Sequence, residues 1–92
     1  MIIRGKKQGE ITFVSHAMGD ISSVYLVGSF NDWDPVKSPM GKNKDGSFRK
    51  KLTLKPGRYE YKFITDGIWL NDTDSQENVM NPYGTLNSVV CI

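Results

Sequence analysis

An all-β sandwich or barrel is the fold class this sequence predicts, and three observations lead there. Turn signals recur at short spacing: Gly19-Asp20, Asn31-Asp32, Asp45-Gly46, Pro56-Gly57, Asp66-Gly67 and Pro82-Tyr83-Gly84. Between them lie short runs rich in β-branched and aromatic residues. Third, no window sustains helical periodicity beyond about two turns, because Pro and Gly interrupt most candidates.

The elements follow in order. Residues 1–9 read as an N-terminal lead-in, and residues 10–92 as the β domain. Glu10–His16 alternates, with Ile11 and Phe13 on one face. Ser23–Gly28 is more continuously apolar, as a central strand is. Ser47–Leu54 puts Phe48, Lys50, Leu52 and Leu54 on one face and Arg49, Lys51 and Thr53 on the other. Gly57–Thr65 sets Tyr59, Tyr61 and Phe63 against Glu60, Lys62 and Ile64, since successive strand side chains point to opposite faces. Phe30, Tyr61 and Phe63 are expected in the core. Asp66-Gly67 suits a type I′ hairpin turn, with Ile68–Leu70 as the return strand. Residues 71–82 read as a polar loop. Asn87–Ile92 closes the chain as an apolar strand, with Ile92 expected to pair in a sheet.

Ninety-two residues make one domain, and 38% hydrophobic with 24% charged residues argues against disorder. No apolar run approaches the roughly 20 residues of a membrane helix, so no membrane partner is expected. Met1–Lys7 is too short in its apolar part for a secretory signal, and a single cysteine, Cys91, excludes an internal disulfide. A cytoplasmic setting is the expectation. Met1 and the lack of a linker lead to the expectation of a free-standing protein.

Net charge is +2, unevenly spread. Residues 36–62 carry nine basic and two acidic side chains, or +7; residues 63–92 carry four acidic side chains and no Lys or Arg, or −4. A basic patch for nucleic acid is one reading. A solvated strand face is the other, and is preferred because no nucleic-acid motif accompanies the charge.

Catalysis finds no support in the residues. His16, the one histidine, lies on a predicted strand and reads as an edge residue. Cys91 lies on the terminal apolar strand and reads as inert packing. A glycosidase needs two opposed carboxylates in a cleft, whereas the ten acids here fall mostly in turns. The acidic run Asp72-Thr73-Asp74-Ser75-Gln76-Glu77 lacks the glycine at its sixth place that an EF-hand loop requires, so no metal is expected. No phosphate loop or cofactor motif is present, and no cofactor is expected.

Two tryptophans stand apart. Trp33 closes Gly28-Ser29-Phe30-Asn31-Asp32-Trp33, and Trp69 follows Asp66-Gly67. Each sits where a strand gives way to a loop, among polar residues. They are either structural plugs at a sandwich edge or flat faces held ready to stack on sugar rings. Asn31-Asp32 and Asp34-Pro35 are expected to shape the loop that presents Trp33.

Three segments then carry a resemblance: Val24–Trp33, Pro56–Trp69 and Gly84–Val90. In order and spacing they resemble carbohydrate-binding module family 48, the glycogen- and starch-binding domain found in the β subunits of AMP-activated protein kinase and at the N-terminus of branching and debranching enzymes. The resemblance covers roughly residues 10–92. It implies an immunoglobulin-like β-sandwich of the early-set type. It also implies a non-catalytic module for α-1,4-glucan such as glycogen, starch or maltooligosaccharides. The partner it implies besides glucan is a kinase subunit or a glucan-active enzyme.

By motif the resemblance implies stacking by Trp33 and Trp69, with Lys62, Thr85 and Asn87 supporting and Tyr83 at the family's apolar position. Tyr83 departs from the usual leucine there. The chemistry suits the ligand. An indole covers the C–H face of a glucose ring at little entropic cost. Lys62 supplies donors, Asn87 a donor and an acceptor, and Thr85 either. Alternation leaves Lys62 on the face opposite Phe63, solvated and available. Affinity for short oligosaccharides is expected between micromolar and millimolar, because an open face leaves the ligand wet. The alternative is an interaction domain that kept the fold and lost sugar binding, docking through Ser47–Leu54 or Asn87–Ile92.

Overall fold

The computed structural model describes residues 1–16 and 19–92. Among them lie nine strands: β1 (Ile2–Arg4), β2 (Glu10–Ser15), β3 (Val24–Gly28), β4 (Gly41–Lys42), β5 (Phe48–Thr53), β6 (Arg58–Thr65), β7 (Ile68–Leu70), β8 (Asn78–Met80) and β9 (Leu86–Cys91). Helix among the described residues is limited to one 3-10 turn at Ser29–Asn31, and none is long and apolar enough to cross a membrane.

Two antiparallel sheets form an immunoglobulin-like sandwich. One sheet runs β1-β2-β5-β4; the other runs β3-β6-β9-β8, with β7 also paired to β6. The alternation read from the sequence sets the inward faces. Ile11, Phe13 and Phe48 come from the first sheet, and Val24, Leu26, Tyr61, Phe63 and Val90 from the second; all are buried in one cluster with Met40. Phe13 meets Tyr61 edge-on at 5.0 Å between ring centroids, and Tyr61 meets Phe63 at 5.8 Å. Phe30 packs against this cluster from its margin, half-buried.

The Tyr61 hydroxyl donates to the buried Asp72 carboxylate at 2.7 Å, and the same carboxylate pairs with the Met1 amine. Burial, reinforced by Asp72, pushes the phenol far above its ordinary pKa of 10.0. The unfolded chain releases this proton above pH 10 while the folded chain keeps it. The stability it contributes is therefore complete below pH 10 and is lost as pH rises further. Tyr61→Phe should make the alkaline fall of stability shallower, and at neutral pH should cost about 1–2 kcal/mol in urea unfolding, since Asp72 loses a donor.

Several strand predictions need amendment. The lead-in carries a strand beyond those expected: Ile2 pairs with Phe13 and Arg4 with Ile11, adding β1 to the edge of β2. The polar loop contains β8, which pairs with the start of β9. Neither segment, at three residues, is long enough to show a period of two. His16 lies one residue beyond β2 and is exposed. Cys91 is exposed rather than packed, because at the end of β9 it takes the outward side opposite Arg58. Ile92 does pair, exchanging backbone hydrogen bonds with Gly57. The Asp66-Gly67 turn has φ of 46° and 85° at its two residues, as a type I′ turn requires.

The two strands named as docking surfaces are both interior to their sheets, β5 between β2 and β4, and β9 between β6 and β8. The basic charge of β5 is partly matched in place: Lys51 reaches Glu10 across the sheet at 3.4 Å, and Arg49 reaches Asp45 at 3.5 Å. These exposed pairs add little stability.

Candidate functional site

The outward face of the second sheet carries a groove of about 740 Å³. Trp33, Lys62, Trp69, Tyr83, Thr85 and Asn87 all line it, joined by Ser29, Glu60, Asn81 and Pro82. Every one of these residues belongs to the second sheet or to a loop leaving it.

Trp33 forms one wall. After β3 the chain makes its 3-10 turn, and both Asp32 and Trp33 then take a left-handed backbone with φ of 57°. Non-glycine residues hold that conformation only where surrounding structure over-determines it. Asn31 does so here. Its carbonyl oxygen accepts from the Gly28 amide at 3.0 Å, and its Nδ2 donates to Leu26 O at 3.1 Å and to Ser38 Oγ at 3.2 Å. The Trp33 amide closes the loop on Gly28 O at 2.9 Å, and Asp34 caps the exit by accepting from the Val36 amide. Gly28 leaves no room for a side chain: a Cβ there would lie 2.6 Å from Glu60 O and 2.8 Å from the Phe30 ring.

The floor comes from β6, β7 and β9. Strand alternation puts Glu60, Lys62 and Ile64 outward on β6, and Trp69 lies directly across from Ile64 on β7. Trp69 thus reaches the same face as Lys62, and it is 46% exposed. Asn87 on β9 sits two residues before Val89, the cross-strand partner of Glu60, and so shares that face.

Lys62 departs from expectation. It is only 6% exposed, not solvated, because the connection between β8 and β9 returns over it. Its ammonium donates to Thr85 Oγ1 at 3.1 Å and to Leu86 O at 3.0 Å. Two of its three N–H bonds are therefore fixed, and the third is left for the groove.

The other wall is the tight connection 81–85. Asn81 N donates to Thr85 O at 2.8 Å and Gly84 N to Asn81 O at 3.1 Å, and Gly84 supplies the positive φ of 81° that the reversal needs. At its tip Tyr83 is 91% exposed. A large aromatic ring held out by a closed turn is an open apolar surface with no partner inside the protein. Asn87, buried at the foot of this wall, donates to Glu60 Oε1 at 3.0 Å. Glu60 also receives Arg58 Nη1 at 3.4 Å.

The groove thus offers three aromatic rings above a polar floor, with neither tryptophan sunk in the core. Such a surface can cover the C–H face of a sugar ring and meet its hydroxyls. Glu60 is the one acid among the lining residues, so the groove holds no opposed pair of carboxylates. Among the described residues no three His, Cys, Asp or Glu side chains gather as a metal site, and the Asp72 carboxylate is engaged by Tyr61 and the Met1 amine.

Sequence reasoning missed Ser29, Glu60 and Asn81. Ser29 Oγ accepts from the Glu60 amide at 3.2 Å, tying the Trp33 loop to β6. An Asn before Pro-Tyr-Gly was legible as a turn former, but not as a residue that touches the floor.

The profile of the family described as "Glycogen recognition site of AMP-activated protein kinase" matches residues 12–92. The chain is 38% identical to 5'-AMP-activated protein kinase subunit beta-1 of Sus scrofa over 78% of its own length and 56% of that protein's. It is 32% identical to subunit beta-2 of Mus musculus, over 96% of this chain and 31% of that one. It is also 36% identical to the chloroplastic protein FLOURY ENDOSPERM 6 of Oryza sativa, over 73% of this chain and 15% of that one. The chain therefore spans between about a seventh and just over half of these relatives. Among solved structures, the maltogenic amylase from S. marinus superposes with a TM-score of 0.77 at 24% identity, over 100% of this chain and 16% of that one. At that identity the likeness is one of fold.

Proposed function

The chain belongs to the family of the glycogen recognition site of AMP-activated protein kinase, and on that premise we propose that it is a non-catalytic module for α-1,4-glucan of the glycogen or starch type. In this reading Trp33 and Trp69 stack on glucose rings, and Tyr83 reaches along or between rings from the opposite wall. Lys62, Thr85 and Asn87 meet the hydroxyls.

The observation that carries the reading is the convergence of all six residues on one open groove, where Trp69 and Tyr83 are exposed while Lys62 and Asn87 are buried. Stacking removes apolar area from water on both partners, and each directed donor adds to it only when its geometry is held in advance. The Trp33 loop and the 81–85 turn are both closed by internal hydrogen bonds, so little ordering remains to oppose binding.

Native gel migration through glycogen, with maltoheptaose titration followed by tryptophan fluorescence, tests the reading. Retardation in the gel and a saturable fluorescence change with a Kd between about micromolar and millimolar are expected. No retardation and no fluorescence change would defeat it. Since the relatives named above are longer than this chain, a kinase subunit or a glucan-active enzyme as protein partner is part of the same proposal.

A further inference from the structure

The geometry points to Asn81 as the positioning residue that fixes the hydrogen-bond polarity of the groove, so that its strand floor faces a ligand with donors. This deepens the glucan reading and rests on it.

The argument starts at two backbone amides. Tyr83 N and Thr85 N can only donate, and both point at one side-chain atom of Asn81, at 3.0 and 3.1 Å. That atom must be the carbonyl oxygen Oδ1. The other atom of the amide is then Nδ2, and it donates both of its hydrogens, to Thr85 Oγ1 at 2.7 Å and to Asn87 Oδ1 at 3.0 Å. Asn87 is thereby oriented in turn. Its oxygen faces Asn81 and its nitrogen faces Glu60, to which it donates one hydrogen.

Thr85 follows from the same chain of constraints. Its hydroxyl oxygen accepts from Asn81 Nδ2 and from Lys62 Nζ, and neither of those groups can accept in return. Both lone pairs are occupied, so the O–H is left to donate. Three groups along the floor then each keep one hydrogen for a ligand: the Lys62 ammonium, the Thr85 hydroxyl and the Asn87 amide. Glu60 is the acceptor beside them. A ligand must place acceptor oxygens over the row of donors, and the vicinal hydroxyls and ring oxygens of a glucan do so. Asn81 lines the groove but spends its whole side-chain amide on protein partners, so it acts through Thr85 and Asn87.

Asn81→Asp separates positioning from folding. Aspartate keeps an oxygen for the Tyr83 and Thr85 amides but has no N–H for Thr85 Oγ1 or Asn87 Oδ1. The Thr85 hydroxyl turns inward to donate to the new carboxylate, and the Asn87 amide loses the donor that orients it. In ¹⁵N-labelled free protein, the backbone amides of Tyr83 and Thr85 should still show hydrogen bonding, while the Asn87 side-chain amide resonances shift. With maltoheptaose, affinity should fall about tenfold or more, the loss expected when a directed donor is withdrawn and another misoriented.

Unshifted Asn87 side-chain resonances in the free variant overturn the inference, as does unchanged affinity in a variant whose wild type binds. If the wild type itself binds no glucan, the proposed function fails, and the free-protein comparison alone decides the positioning role.

Discussion

Trp33→Ala and Trp69→Ala should each abolish retention on glycogen while leaving the sandwich folded. An aromatic face at the centre of a binding site contributes about 2–3 kcal/mol, so each truncation should weaken binding about 30- to 150-fold. A starting affinity of about 30 micromolar or weaker is thereby carried to about millimolar or beyond, where gel retardation is lost. The fold should tolerate both changes. Trp69 is half out in solvent on a strand paired along one side only, and Trp33 lies in a loop whose hydrogen bonds run through the backbone and Asn31 rather than the indole. Glycogen gels and thermal unfolding, read together, check both halves. Retention equal to wild type in both variants removes the assignment, and a collapse of the melting transition would show that the indoles hold the fold instead.

The largest loss of stability from a polar residue should follow Asn31→Ala. Asn31 is 5% exposed and meets three partners through one amide. Alanine leaves the Gly28 amide and the Ser38 hydroxyl without that partner in a buried setting, and removes the brace on two consecutive left-handed residues. Unsatisfied buried groups of this kind cost about 2–3 kcal/mol together, or roughly 10–20 °C in melting midpoint for a domain of this size. Glucan binding should weaken as well, because Trp33 follows from the same loop. Asn31→Asp keeps the acceptor for Gly28 and loses both donors, so it should fall between wild type and alanine. A melting midpoint within a few degrees of wild type for Asn31→Ala would show that the loop is braced from elsewhere.

Much of this was readable in the sequence because it depends on local rules. The inward faces of β2 and β6 follow from alternation, and Ile11, Phe13, Tyr61 and Phe63 are buried where a period of two places them. Asp66-Gly67 declared its turn by composition. What alternation could not reveal is what lies above a face. It put Lys62 outward, correctly, but its burial depends on the 81–86 segment returning over β6, a contact across more than twenty residues of sequence. Glu60 and Asn81 were passed over for a similar reason. Each belongs to a residue type common on solvated strands or in turns, and only the pairing of β9 with β6 brings Asn87 between them. The short strands β1 and β8 escaped because three residues show no period, and their pairing comes from neighbours already in place.

The concentration of the groove on one sheet leaves the opposite flank of the molecule chemically independent of it. β1, β2 and β5 contribute inward packing, and none of the four strands of that sheet supplies a lining residue. Tethering, crowding or rewriting the charge of that flank should therefore leave the proposed saccharide recognition undisturbed, and would keep the front of the domain open to a polymer too bulky to enter any cleft.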